Sequence, residues 1–166
     1  MKIGIIADTH IGKNLNKLNN FLEQHLNNID MIIHAGDYKT AAAVNTLKDF
    51  RRFLGVWGNV DVEEVRGLVA EKEIIEVANY RIGVFHGHGT KKTTIDRAYD
   101  AFEKDDVDII VFGHSHQPII KTKGNVLMLN PGSPTSKRRE RWFSYIILEL
   151  ETDTINASLR FFTKKD

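Results

Sequence analysis

Short apolar runs recur along the chain as far as residue 112, and each ends at a turn that contains glycine or polar residues. The runs occupy residues 3–7, 30–34, 53–57, 80–85 and 107–112, and most are rich in valine and isoleucine. Such runs are typical of buried strands. The segments between several of them show helical spacing, and strands that alternate with helices predict a βαβ pattern with a largely parallel sheet.

Polar residues stand where the predicted helices begin. The N-cap candidates are Asn14, Thr40 and either Thr93 or Thr94. The spacing Asp61-x-x-Glu64 is that of a capping box and predicts a further short helix. The leucines at 15, 18, 22 and 26 share one face of the first helix, which we expect in the core, whereas His25 falls on the polar face and is expected to be exposed to solvent.

The second half of the chain shows a different pattern. Residues 72–78 and 80–85 predict a hairpin that turns at Ala78-Asn79. Strands are also predicted at 119–122, 126–129, 143–149 and 155–161, and their short links favour antiparallel pairing. We therefore expect an α/β protein in which two sheets pack face to face with helices outside, formed by a single domain over residues 1–166.

Five of the predicted strands end in side chains that suit divalent cations. Because ligands bind at the carboxyl ends of strands in open α/β sheets, these ends are expected to converge. If the tip at 113–116 stays extended, its two histidines share one face and reach one cleft. Seven ligands are too many for one zinc site and suit two ions roughly 3.5–4 Å apart. The seven candidates are Asp8, His10, Asp37, Asn59, His86, His114 and His116.

Composition narrows the choice of site and partner. The chain has 166 residues, no cysteine, and 23 basic against 22 acidic residues. The absence of cysteine excludes disulfides and thiolate ligands. The near-neutral charge and few stacking aromatics argue against long nucleic acid as a partner. The N-terminal apolar run is too short for a signal peptide, and no run approaches membrane-spanning length, so we expect a soluble, cytoplasmic protein.

The ordered motifs resemble a known family. Asp8-x-His10, Gly36-Asp37, Gly58-Asn59-x-Asp61, His86-Gly87 and Gly113-His114-x-His116 are similar to the signature of the calcineurin-like metallophosphoesterases. The short chain, His86-Gly87-His88 and Pro131-Gly132-Ser133 resemble the small bacterial and archaeal phosphodiesterase branch. The resemblance runs from residue 3 to about residue 135.

This resemblance implies a four-layer α-β-β-α sandwich and a dinuclear centre. One ion would be held by Asp8, His10, Asp37 and His116. The other would be held by Asp37, Asn59, His86 and His114, so that Asp37 bridges the two. Mn²⁺ is the commonest activator in that branch, and the donor types also admit Ni²⁺, Fe²⁺, Zn²⁺ or Mg²⁺. The implied reaction is hydrolysis of a small phosphodiester by a hydroxide held between the ions.

The chain departs from the family pattern at two places, and both affect which substrate we expect. Many phosphomonoesterase relatives have histidine where this chain has Val60, which leaves Asp61 and His88 as the nearest groups that could protonate the leaving group. The amide of Asn59 could also donate to the phosphate. We therefore expect diesters to be preferred over monoesters. Proteins of that branch usually have an arginine soon after Pro-Gly-Ser, but here residues 134–139 intervene, so the sequence leaves the phosphate-facing basic residue open. The basic run at 137–141 is more typical of a solvated turn than of a substrate-steering patch.

Alternative functions remain open at this stage. The retromer scaffold subunit of eukaryotes resembles the same family but serves chiefly in protein assembly, and its kind tends to lose metal-site histidines that this chain keeps. A phosphomonoesterase or nucleotide hydrolase would use the same metals on another substrate. Trp142 could lie on the surface or in a contact between subunits of a homo-oligomer, and His34 is expected to pack beside the site without binding metal.

Overall fold

The computed structural model describes residues 1–163, which form ten strands and four helices. The strands are β1 (Lys2–Ile6), β2 (Met31–His34), β3 (Arg52–Gly55), β4 (Lys72–Val77), β5 (Tyr80–Phe85), β6 (Ile109–Val111), β7 (Ile119–Lys123), β8 (Val126–Asn130), β9 (Phe143–Leu150) and β10 (Ile155–Phe162). The helices are α1 (Asn16–His25), α2 (Ala41–Phe50), α3 (Glu63–Arg66) and α4 (Thr94–Asp100).

The strands form two mixed sheets of five strands each. The first has the order β10-β9-β1-β2-β3, in which β1, β2 and β3 are parallel to one another. Strand β9 is antiparallel to both of its neighbours, β1 and β10. The second has the order β4-β5-β6-β8-β7, with β5, β6 and β8 parallel and the two edge strands antiparallel. The two parallel triplets provide the strand ends at which the candidate ligands lie.

The buried apolar side chains form three clusters, one between the two sheets and one on the outer face of each sheet. Ile3 and Ile5 of β1 pack between the sheets with Val84 and Val111 of the second sheet. The opposite face of the first sheet packs against α1 and α2, as Ile6 does. The opposite face of the second sheet packs against α4. The expected α-β-β-α sandwich is therefore confirmed.

Most of the predicted local signals are confirmed. The hairpin turns at Ala78-Asn79, where both residues have positive φ, the backbone of a two-residue primed turn. Thr40 and Thr93 cap α2 and α4 by accepting from backbone N–H groups. The strand predicted over residues 53–57 is shorter, since β3 ends at Gly55 and Val56 forms only an isolated bridge with Ala70.

Three of the local predictions are wrong. Helix α1 begins after Leu15, and Asn14 accepts only from the N–H of Asn16. The capping box at Asp61 does not form, because the N-cap of α3 is Val62 and its side chain makes no capping bond. His25 is half-buried against the ring of Phe162, with centroids 4.5 Å apart.

No helix within residues 1–163 has both the length and the apolar character needed to cross a lipid bilayer.

Candidate metal centre

The carboxyl ends of β1, β2, β3, β5 and β6 meet along one edge of the sandwich, where the two sheets face each other. Backbone hydrogen bonds join neighbouring tips: the Asp8 N–H donates to Gly36 O at 2.9 Å, and the His10 N–H donates to Asp37 O at 3.0 Å. The Gly113 N–H donates to His86 O at 3.1 Å. The convergence expected from the strand pattern is therefore present in the fold.

One group of donors, here called the first donor group, consists of Asp8, His10 and His116. Asp8 Oδ1 lies 3.5 Å from His116 Nε2, and the Nε2 atoms of the two histidines are 3.1 Å apart. The rings stack with centroids 5.0 Å apart. Asp37 adjoins this group, since its Oδ2 lies 3.6 Å from His10 Nε2.

The second donor group consists of Asp8, Asp37 and His86. His86 Nε2 lies 3.3 Å from Asp37 Oδ1 and 4.0 Å from Asp8 Oδ1. The two oxygens of Asp37 therefore face different donor groups. His114 and Asn59 lie beside this group as a pair, with Nδ1 and Oδ1 3.0 Å apart and the His114 ring 5.2 Å from that of His86.

The spacing and the unsatisfied atoms both fit bound cations. Two ligands held about 2.1 Å from one ion at roughly right or tetrahedral angles lie about 3.0–3.4 Å apart, close to the separations within each group. Both carboxylate oxygens of Asp8 and Nε2 of His86 are buried and have no hydrogen-bond partner within residues 1–163. Such atoms are costly in a folded protein unless a ligand or ion satisfies them.

The two carboxylates have opposite pKa shifts. Burial raises the pKa of Asp8 to about 7, against the opposing charge of His86. Burial also acts to raise the pKa of Asp37, but the adjacent imidazole of His86 and the N–H of Val60 outweigh it and lower that pKa to about 2. Between about pH 2 and pH 7, Asp37 is therefore the charged carboxylate beside His86 and Asp8 is the neutral one, so that a cation bound there would displace the proton of Asp8.

Three of the four histidines among the candidate ligands have a lowered pKa. In the fourth, His86, burial acts to lower the pKa, but the adjacent carboxylates of Asp37 and Asp8 outweigh it and raise that pKa. Burial lowers the pKa of His114 and of His116 to about 4 in each case, and it also lowers the pKa of His10. Neutral imidazole is the form that binds a cation. His86 Nδ1 hydrogen bonds to Ala35 O at 2.6 Å, and His116 Nδ1 hydrogen bonds to Ser136 O, so that each Nε2 faces the centre.

The backbone of the strand tips is left-handed at five candidate ligands. Asp8, His10, Asp37, His114 and His116 all have φ between 46° and 67°. The expectation of an extended tip at 113–116 is therefore wrong: the turn sends His116 to the first donor group and His114 to Asn59. Positive φ in non-glycine residues costs of order 1 kcal/mol each and persists only where the surrounding structure imposes it.

Comparison with known proteins agrees with this geometry. The sequence model of the calcineurin-like phosphoesterase superfamily domain matches residues 1–153. The chain belongs to this superfamily. A probable metallophosphoesterase of Methanocaldococcus jannaschii is 34% identical over 139 residues, which cover 83% of this chain and 70% of that protein. Another protein of that organism, named a phosphodiesterase, is 24% identical over 145 residues, with 80% and 83% covered.

Solved structures show the same fold at lower sequence identity. The crystal structure of Vps29 from Chaetomium thermophilum matches this phosphoesterase with a TM-score of 0.76 at 19% identity, and the match covers 98% of this chain and 97% of that one. The likeness establishes the four-layer fold. Calcineurin-like phosphoesterases use divalent metals, and within residues 1–163 the two donor groups are places that could bind them.

Asp61 holds the loops of the candidate metal centre together. Its Oδ2 accepts from the N–H groups of Asp37 at 2.9 Å and Gly58 at 2.7 Å, and its Oδ1 accepts from the N–H of Lys39 at 2.7 Å. The side chain is buried. Both oxygens are thus committed to backbone donors, and Asp61 fixes the position of Asp37 from behind.

His88 lies apart from the donor groups. Its ring centroid is 5.8 Å from that of His86, its Nε2 lies 3.6 Å from Glu71 Oε1, and its ring packs 5.3 Å from that of Trp57. His34 is buried below the centre, as expected, where its Nε2 lies 3.0 Å from Thr9 Oγ1.

Asn130 supports the candidate ligands in a way that the sequence does not predict. Asn130 is buried, and its Nδ2 donates to Gly113 O at 2.9 Å and to Ser115 Oγ at 3.0 Å, which braces the tip that carries His114 and His116. The only signal for this role is an asparagine at a strand end followed by Pro-Gly, which is also an ordinary turn signal.

Proposed function

We propose that this phosphoesterase is a divalent-metal-dependent phosphodiesterase with a two-ion centre. One observation carries the proposal: the buried carboxylate of Asp37 faces a different donor group with each oxygen. That is the arrangement a bridging ligand requires. The first ion would be held by Asp8, His10, Asp37 and His116, and the second by Asp37, Asn59, His86 and His114.

The donor types support a borderline cation, and we propose Mn²⁺. The set combines carboxylate and amide oxygens with imidazole nitrogens and contains no sulfur, a mixture compatible with Mn²⁺, Fe²⁺, Ni²⁺ or Zn²⁺. When bound, two such ions offset the charge of the phosphoryl oxygens and lower the pKa of coordinated water. Hydrolysis of a diester consumes one water and yields a phosphomonoester and an alcohol.

The residues beside the centre support a diester as the substrate. Val60 follows Asn59 and is 40% exposed, so the residue after the motif asparagine presents an apolar side chain that cannot protonate a leaving group. Asp61 is committed to three backbone N–H groups, which leaves His88 as the remaining one of the two candidate groups that could protonate a leaving group. Because burial lowers the pKa of His88, its imidazole is neutral near pH 7 and gives weak assistance to a leaving group. We therefore propose that diesters of acidic alcohols are cleaved best.

A metal-swap assay tests this function. Purified protein would be stripped, loaded with Mn²⁺, Ni²⁺, Fe²⁺, Zn²⁺ or Mg²⁺ in turn, and assayed on bis(4-nitrophenyl) phosphate and 4-nitrophenyl phosphate. We expect two ions per chain by elemental analysis and a higher kcat/KM for the diester. A clear monoesterase preference would refute the substrate proposal. In that case the phosphomonoesterase or nucleotide hydrolase alternative would stand.

A second candidate function is a protein-binding scaffold. Trp142 is 45% exposed and Phe161 is 52% exposed, and their rings meet edge to face with centroids 6.0 Å apart. Exposed aromatic pairs are enriched at protein interfaces. A protein that binds no metal and cleaves none of the test esters would favour this function, as would a homo-oligomer whose interface contains Trp142.

A further inference from the structure

The loop at residues 133–136, here called the anchored loop, is hydrogen bonded to the tip of β1. Ser133 Oγ donates to Asp8 O at 2.8 Å, and Thr135 Oγ1 donates to Thr9 O at 2.6 Å. Both of these loop side chains are buried. Each bond joins residues that are 125 or more positions apart in the chain, so the loop and the tip of β1 are held in a fixed relation.

The hydroxyl of Ser133 also shapes the anchored loop itself. Its Oγ accepts from the N–H of Ser136 at 2.8 Å and from the N–H of Thr135 at 3.3 Å. A serine hydroxyl that bonds to backbone N–H groups just ahead of it stabilises a turn in place of a backbone acceptor. Together with the bond to Asp8 O, these contacts use the one donor and both acceptor positions of the hydroxyl. The place of Ser136 therefore depends on Ser133.

The carbonyl of Ser136 is in turn the partner of the His116 ring. His116 Nδ1 hydrogen bonds to Ser136 O. Because a carbonyl can only accept, Nδ1 carries the proton and the lone pair of the neutral imidazole is on Nε2. That atom lies 3.5 Å from Asp8 Oδ1 and 3.1 Å from His10 Nε2. The bond to the loop thus selects the tautomer in which Nε2 can bind a cation.

We propose that Ser133 is a positioning residue of the metal centre, whose hydroxyl holds Ser136 O in the place where it fixes the ring and the tautomer of His116. The same hydroxyl bonds to the backbone of Asp8, so one side chain orients two of the three members of the first donor group. The proposal rests on the two-ion centre proposed above and adds a residue that touches neither ion nor substrate. Ser133 is 1% exposed, and every hydrogen-bonding position of its hydroxyl is occupied.

Ser144 offers a matched control in the same part of the fold. It is also 1% exposed, and its Oγ donates to Pro131 O at 2.7 Å. Within residues 1–163, its hydroxyl makes no hydrogen bond to the tip of β1 or to the anchored loop. Ser133→Ala and Ser144→Ala each remove one buried hydroxyl that donates to a backbone carbonyl. We expect a Tm decrease of a few degrees in both variants, whereas only Ser133→Ala should affect the centre.

The first measurement uses the metal-free protein and does not depend on turnover. Long-range ¹H–¹⁵N NMR of the imidazole rings, recorded above neutral pH, reports which ring nitrogen carries the proton. We expect the Nδ1–H tautomer of His116 in the wild type and in Ser144→Ala, and a mixture of both tautomers in Ser133→Ala. Ser136→Ala keeps the backbone carbonyl that His116 bonds, so it should retain the wild-type tautomer.

The second measurement is the affinity for Mn²⁺, obtained by competition with a fluorescent chelator. Ser133→Ala should lower this affinity about ten-fold or more, while Ser144→Ala should stay within about two-fold of the wild type. Ser133→Cys keeps a weak donor and acceptor at the same position. Its affinity should therefore lie between those of the wild type and Ser133→Ala, and it provides the comparison if Ser133→Ala does not fold. Because Ser133 does not reach the substrate, excess Mn²⁺ should restore most of the diesterase activity.

The outcomes separate the role of Ser133 from the proposed function. Equal losses of affinity in the two alanine variants, or a wild-type tautomer and affinity in Ser133→Ala, would overturn the role of Ser133. If Ser133→Ala loses affinity while the wild type cleaves no ester, the proposed function fails and the role of Ser133 stands. A wild type that binds no metal would overturn both.

Discussion

The two ends of strand β1 differ in how their polar groups are satisfied. At the amino end, the Lys2 N–H donates to Asp30 Oδ2 at 2.7 Å and the Lys2 ammonium lies 3.5 Å from Glu149, in pairs that water also reaches. At the carboxyl end, Asp8 is fully buried and neither of its oxygens has a hydrogen-bond partner within residues 1–163. Polar groups at the amino end of β1 thus have hydrogen-bond partners, whereas the carboxylate at its carboxyl end has none.

The difference shows where the fold accepts unfavourable free energy. Left-handed backbone, a buried unpaired carboxylate and crowded histidines all lie at the carboxyl ends of the parallel strands. Each of these features opposes folding by itself, and the surrounding hydrogen bonds, such as those to Asp61, impose them. We infer that binding a cation offsets this cost. Substitutions at the carboxyl end of β1 should therefore change metal binding and stability in ways that substitutions at its amino end do not.

The largest effect should come from Asp37→Ala. Because the two oxygens of Asp37 face separate donor groups, its loss should lower metal content at both proposed positions and reduce kcat/KM on the order of a thousand-fold. Elemental analysis and diesterase assays measure the two effects. Asp30→Ala, at the amino end, is the matched carboxylate control. Full metal content and activity in Asp37→Ala would contradict a bridging role.

Gly58→Ala should weaken the centre without removing any donor. An added Cβ would overlap Asp37 Oδ1 and lie 2.6 Å from Asp37 N, so the carboxylate must shift. We expect metal affinity to fall roughly 10- to 100-fold, as for loss of an orienting contact. Gly12→Ala is the control, since nothing lies within 4 Å of its added Cβ. Competition with a fluorescent chelator measures the metal affinity of both variants. Similar affinities would show that Gly58 does not help to position Asp37 in the centre.

Asp8→Asn should stabilise the metal-free protein while it impairs the metal-loaded one. The pKa of Asp8 is about 7 in the native state against 3.8 for an unperturbed aspartate, so the native state binds the extra proton between these pH values. Stability of the metal-free wild type should therefore fall as pH rises from about 4 to 7. The variant should lose that dependence and gain several degrees of Tm at pH 7, of order 5 °C. Scanning calorimetry at several pH values would detect it, and an unchanged pH dependence would contradict it.

The smallest effect should come from Asp30→Ala itself. An exposed carboxylate that accepts one backbone N–H contributes at most about 1 kcal/mol. We expect a Tm decrease of no more than about 4 °C, with metal content and kcat/KM unchanged. Denaturation curves and the diester assay check this. A loss of metal on substitution of Asp30 would show that the two ends of β1 are coupled, and the contrast between them would fail.

The sequence predicts the gathering of strand ends because that feature depends on local patterns. Apolar periodicity locates β1, β2, β5 and β6, and the rule for parallel strands brings their carboxyl ends to one edge. The layers, the hairpin at Ala78-Asn79 and the caps at Thr40 and Thr93 follow in the same way. The assignment of the seven side chains as ligands stays a prediction.

What the sequence could not predict depends on contacts between distant segments. Asp61-x-x-Glu64 has the spacing of a capping box, but the Asp61 carboxylate accepts hydrogen bonds from the backbone N–H groups of Asp37 and Lys39 instead of capping α3. The bond from Ser133 to Asp8 joins residues 125 positions apart, which no local pattern records. The left-handed turn at His114 likewise results from the tips that surround it.

Strand order also affects when the centre can form during synthesis. Strand β1 lies between β2 and β9, so its second neighbour arrives only with residues 143–150. The loop that ties Asp8 through Ser133 is also made late. A nascent chain therefore carries all seven candidate ligands before it has made the strand and the loop that hold the tip of β1 in place, so the complete centre can form only after residue 150 has been added.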